Sequence, residues 1–129
     1  MSNSLLAAAA IVLAGVFYQV PENASRLDET QLRSVLIGPV LSWRLLGFPE
    51  NRIGERQYAP DGTFWWKRLD ADYAGHGRWR IDGGAFCEKY DPAGTWKGRD
   101  WVCHPVLTDG TRYFFVNTFV WNEETTGGQ

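Results

Sequence analysis

Three aspartate–glycine triplets constrain this chain more than any other feature. They are Pro60-Asp61-Gly62, Asp82-Gly83-Gly84 and Thr108-Asp109-Gly110. In each, the aspartate side chain can close a turn and the glycine can take the positive φ that the turn requires. Each is flanked by strand-forming runs: IGERQY and TFWWKRL, GRWRI and AFCEKY, DWVCHPVL and TRYFFVNTFVW. Three hairpins in a row follow. With PVLSWRL ahead of them the count is seven or eight strands and no helical stretch between. The spacing predicts a mainly β chain, an antiparallel meander forming a small barrel or sandwich.

Strand alternation sorts the side chains into faces. Trp79 and Ile81 lie opposite Arg78 and Arg80, a clean in-and-out strand. Phe86 and Tyr90 share one face of AFCEKY; Cys87 and Lys89 share the other. TFWWKRL and TRYFFVNTFVW are apolar on both faces, so both sides of those strands must be covered. The cover could be the core with a helix, the core with a partner chain, or a ligand. The 129 residues include seven Trp, five Tyr and seven Phe. Each such side chain buries roughly 150–250 Å², so one small domain can build a core from few residues.

One short helix precedes the strands, within Ser25–Gly38. Asp28 is its N-cap, with Gln31 three residues on as in a capping box. Leu27, Leu32, Val35 and Leu36 recur at helical spacing, and Gly38-Pro39 ends it. This helix is expected to plug or flank the sheet. Upstream, Leu5–Tyr18 is an uncharged apolar run. As a helix it would span about 21 Å, short of the roughly 30 Å bilayer core and the right length for a secretory leader. An uncleaved anchor and a packed helix are the alternatives. Val16 stands where a lipoprotein signal would place its cysteine. Asn23-Ala24-Ser25 matches the glycosylation pattern but carries no weight alone. The expected division is residues 1–24 as signal peptide or membrane anchor, 25–122 as the β-domain, and 123–129 as a flexible tail.

The two cysteines, Cys87 and Cys103, fall in adjacent predicted strands. The haem run C-x-x-C-H and the redox pair C-x-x-C are absent. Cys87, Cys103, His104 and His76 could supply four zinc ligands in number, yet adjacent residues on a strand point to opposite faces. Neighbouring strands can bring two Cβ atoms within the roughly 4 Å that a disulfide needs. A Cys87–Cys103 bridge is therefore expected, with two buried thiols as the alternative, and it fits an oxidising compartment. No metal and no cofactor are expected.

Chemistry is harder to find. No G-x-S-x-G, P-loop or G-x-G-x-x-G occurs. Asp70 and Asp72 could share a face, but LDADYAG reads as a solvated turn. His76 is expected in or beside that same loop, exposed. The formal net charge of −2, with basic residues scattered among acidic ones, offers no basic stripe for nucleic acid.

The order LDETQLRSVLIG, YAPDGTF, GRWRIDGGAFC and WVCHPVLTDGTRYFFV resembles small exported bacterial proteins of lipocalin-like families that have no assigned activity. The resemblance covers about residues 27–117 and rests on turn and core positions. It implies a lipocalin-like periplasmic barrel and transfers no functional residue. The resulting expectation is an exported, periplasmic or secreted domain that binds a small apolar ligand or an envelope protein. Trp65, Trp79, Tyr90, Trp101 and Tyr113 are the candidates for an aromatic-lined mouth. The alternatives are an accessory subunit of a membrane complex, held in the inner membrane by Leu5–Tyr18, and an enzyme of unknown reaction.

Overall fold

The computed structural model describes residues 21–45, 53–91, 100–116 and 123–126. The leader or anchor expected at Leu5–Tyr18 lies outside them. Among the described residues no helix is long and apolar enough to cross a membrane.

Ten strands and one helix are present among these residues. In chain order they are β1 (Ser25–Arg26), α1 (Glu29–Leu36), β2 (Val40–Leu45), β3 (Ile53–Tyr58), β4 (Thr63–Arg68), β5 (Ala74–Asp82), β6 (Ala85–Tyr90), β7 (Val102–His104), β8 (Val106–Thr108), β9 (Arg112–Phe115) and β10 (Glu123–Thr126). They form one antiparallel sheet in the order β1-β8-β9-β10-β2-β3-β4-β5-β6-β7. The mainly β, antiparallel expectation holds, and each of the three aspartate–glycine triplets makes its turn. Gly62, Gly83, Gly84 and Gly110 all have positive φ. Asp61 accepts from the Thr63 amide at 3.0 Å, and Asp109 from the Thr111 amide at 3.0 Å.

The strand count exceeds seven or eight for three reasons. DWVCHPVL is not one strand. Pro105 has no N–H to give a ladder, and the segment divides there: β7 pairs with β6, while β8 pairs with β9. Residues joined by one proline thus sit at one end of the strand order and next to the other end, so the sheet curls round on itself. Second, Ser25–Arg26, expected in the helix, pairs with β8 instead. The Asp28 capping box starts the helix only at Glu29. Third, Glu123–Thr126, expected as part of a flexible tail, is β10, hydrogen-bonded between β9 and β2. Without it those two strands would leave their backbone groups unpaired.

The interior is aromatic and layered. Leu32 and Leu36 of α1 pack with Leu27, Tyr58, Phe64, Trp79, Phe86, Tyr90, Val106 and Phe115. The helix thus packs against the sheet through Leu32 and Leu36. Two strand glycines make room for rings. A Cβ on Gly54 would fall inside the Trp43 ring and the Lys67 carbonyl; one on Gly77 would meet the Lys89 carbonyl and Phe64. Glycine there permits the tight bend that a small barrel needs.

Cys87 and Cys103 face each other in register on β6 and β7 and form a disulfide, with an S–S distance of 2.05 Å. The bridge anchors the short strand β7, which ends the strand order.

Candidate functional site

The expected aromatic residues do not converge on one mouth. Trp79 is 7% exposed and Tyr90 6%, both inside the core cluster. Trp79 stacks on Phe86 with ring centroids 5.6 Å apart and donates its indole N–H to the Ala59 carbonyl at 2.8 Å. Tyr113 packs against the same cluster. Alternation puts these three on the inner face, where packing consumes them. Trp101 lies half-buried under the Arg80 guanidinium, 4.2 Å from its ring centre. Of the five, Trp65 lines the groove over β3, β4 and β5.

That groove, of about 490 Å³, runs over the outer face of β3, β4 and β5. Its walls include Gln57, Thr63, Trp65, His76, Arg78 and Asp91. Strand register explains the grouping. Gln57 opposes Trp65, Trp65 opposes His76, and Thr63 opposes Arg78. The Trp65 indole is held in place: it donates to Gln57 Oε1 at 3.0 Å, and Gln57 Nε2 in turn donates to the Gly38 carbonyl at 2.6 Å. His76 sits beside that loop rather than in it, within β5, because Ala74 and Gly75 already pair with β4. It is exposed, as expected, and its Nδ1 pairs with the Asp91 carboxylate.

A second polar assembly was not foreseen. Arg56, Glu88, His104, Glu123 and Thr125 are all buried inside the sheet. Arg56 donates to Glu123 at 2.5 Å and to Thr125 Oγ1 at 2.9 Å. Tyr58 donates its hydroxyl to Glu88 at 2.5 Å, and His104 Nε2 lies 3.4 Å from the same carboxylate. Alternation carried the signal: Glu88 stands between Phe86 and Tyr90 on their face, and Arg56 stands two residues before Tyr58. Burial acts to lower the basicity of Arg56, but Glu123 and the other partners, Glu88 among them, outweigh it and hold the guanidinium charged well above its ordinary range. Burial first, and then the neighbouring Glu88 carboxylate, push Tyr90 well above the usual phenol value; burial does the same for Tyr58, where Arg56 opposes and Glu88 adds.

These two phenols make an alkaline prediction. In the unfolded chain tyrosine ionises near pH 10. Below that value both states keep their protons and the stabilisation is complete. Above it the unfolded chain loses protons that the folded chain retains, so stability falls as pH rises. Part of the tyrosinate absorbance rise should therefore coincide with loss of circular dichroism above about pH 10. Complete tyrosine ionisation with unchanged circular dichroism would contradict the burial of both rings.

Asp70 accepts from Arg68 beside the β4–β5 turn and is held below the usual carboxylate range, chiefly by that bond. It is thus a turn residue paired to its neighbour, with no described partner role for Asp72. No group of three metal-binding side chains occurs among the described residues.

No protein-family model, curated protein or solved structure matches the chain.

Proposed function

We propose that this is an exported, non-catalytic binding domain that engages an envelope protein through the outer groove of β3, β4 and β5. The observation that carries the reading is Trp65, a large aromatic surface locked by Gln57 in the wall of a groove of about 490 Å³. Rigid aromatic side chains at low entropic cost are the usual anchors of protein interfaces. A small apolar ligand in the barrel is the weaker reading. Trp79, Tyr90 and Tyr113 pack with the core, and the interior holds Arg56, Glu88 and Glu123. Trp43 Nε1, Trp66 Nε1 and Arg56 Nε are also buried there without a described hydrogen-bond partner. Such polar points suit an apolar guest poorly.

Export to the periplasm or beyond is part of the same proposal. The disulfide supports an oxidising compartment, and Leu5–Tyr18 has the length of a leader. The resemblance to lipocalin-like exported domains agrees with this.

The test places a photo-crosslinking residue at Trp65 and, as a control on the same strand face outside the groove, at Lys67, in cells of the source organism. A discrete adduct at position 65 and not at 67 is expected. Once that adduct is identified, Trp65→Ala should weaken its binding to the purified domain about 10- to 30-fold, as for a central anchor. Equal adducts at both positions, or affinity unchanged by Trp65→Ala, would remove the groove from the binding surface.

A further inference from the structure

We propose that the segment held in this groove is acidic and extended: an apolar side chain lies on Trp65 and a carboxylate two residues along sits between Arg78 and Lys89. This deepens the groove reading and rests on it. Most described cations have a carboxylate within 4 Å. Arg33 faces Glu29, Arg44 faces Glu124, Arg56 faces Glu123, and Lys67 faces Glu55. Arg68 faces Asp70, Arg80 lies near Asp82, and Arg112 faces Asp109. Arg26, Arg78 and Lys89 have no such partner among the described residues. Of these, Arg78 on β5 and Lys89 on β6 stand directly opposite each other, both exposed. Like charges in that position destabilise a sheet. An incoming anion would relieve the repulsion.

The spacing defines the ligand further. Arg78 opposes Thr63, which is two residues from Trp65 on β4. Diagonal neighbours of this kind lie about 7–8 Å apart. Successive same-face side chains of an extended peptide are about 6.8 Å apart, from a rise near 3.4 Å per residue. An apolar residue, any residue, then Asp or Glu matches the step from Trp65 to Arg78, with Lys89 one strand further on. The acidic groups around the groove do not compete for the cations. Asp91 is taken by His76, and Asp61 accepts from the Thr63 amide and hydroxyl. Asp91, itself in the groove wall, also breaks up the positive charge, which disfavours a long phosphate backbone and leaves a place for a single carboxylate.

The experiment sorts a phage-displayed library of random octapeptides on the purified, oxidised protein and measures the best binders by fluorescence polarisation. The expected consensus is an apolar or aromatic residue, one free position, then Asp or Glu. Binding should weaken severalfold between low and high salt, since exposed charges are screened beyond about 10 Å at 0.1 M. It should fall about tenfold or more in Arg78→Glu/Lys89→Glu, and less in the milder Arg78→Gln/Lys89→Gln, whose fold is checked by a thermal midpoint no lower than that of the unsubstituted protein. Peptides that require Trp65 but show no acidic enrichment and no salt dependence would overturn this inference and leave the groove standing. Failure to select any peptide dependent on Trp65 would overturn the groove reading itself. Tighter binding of a single-stranded oligothymidylate than of any acidic peptide would replace the proposed partner with nucleic acid.

Discussion

Arg56→Met is expected to cost about 3–5 kcal/mol of stability, read as a lowered urea midpoint at neutral pH. Arg56 is 2% exposed and Glu88 and Glu123 are 1% and 4% exposed. The substitution removes the cation that faces both carboxylates, at 2.5 Å for Glu123 and 3.8 Å for Glu88. It also removes the guanidinium from the face of Phe115, 4.7 Å from the ring centre. Methionine fills much of the volume, so the loss reads the charge more than a cavity. The double variant Arg56→Met/Glu123→Leu should recover a large part of that loss, because two desolvated charges leave together. A single-variant loss under about 1 kcal/mol would mean that the guanidinium and the carboxylates do not meet in the dry interior.

Reduction of Cys87–Cys103 is expected to lower stability by around 3 kcal/mol, the chain-entropy value for a loop near 15 residues. The sequence separation is 16. The effect has a location as well as a size. Strand β7 is three residues long and pairs with β6 alone. Pro105 links it directly to β8 near the other end of the strand order, so β7 and β8 should gain hydrogen exchange on reduction before β3 and β4 do. Thiol titration must first show two free sulfhydryls. Equal urea midpoints for the oxidised and reduced protein would show that the bridge closes nothing that folding has not already closed.

The hairpins were legible because their chemistry is local. Asp61, Asp82 and Asp109 stand beside glycines that need positive φ, and Asp28 with Gln31 caps a helix within one turn. The disulfide was legible because two strands joined by one loop are neighbours in space. The insertion of the last described strand into the middle of the sheet was not. Glu123-Glu124-Thr125-Thr126 reads as a polar tail, and only the placement of Arg56 across the interior gives Glu123 and Thr125 a reason to face inward. Trp65 and Trp66 likewise look alike in sequence. Trp66 turns in over Gly75, while Trp65 turns out to meet Gln57 and His76. The candidate site followed from register, which depends on pairing across the chain. The period-2 pattern fixed which side each residue took, but not which neighbours it met there.

The position of β10 governs when this protein can acquire its shape. It is last of the strands in chain order, yet it fills a slot between β2 and β9. A nascent polypeptide emerges from the ribosome or an export channel with its amino end first. Until Glu123–Thr126 arrive, β2 and β9 present raw edges that invite pairing with other molecules. Assembly of the full sheet must therefore wait for β10 to be delivered, and a holding chaperone would be of most use during that interval.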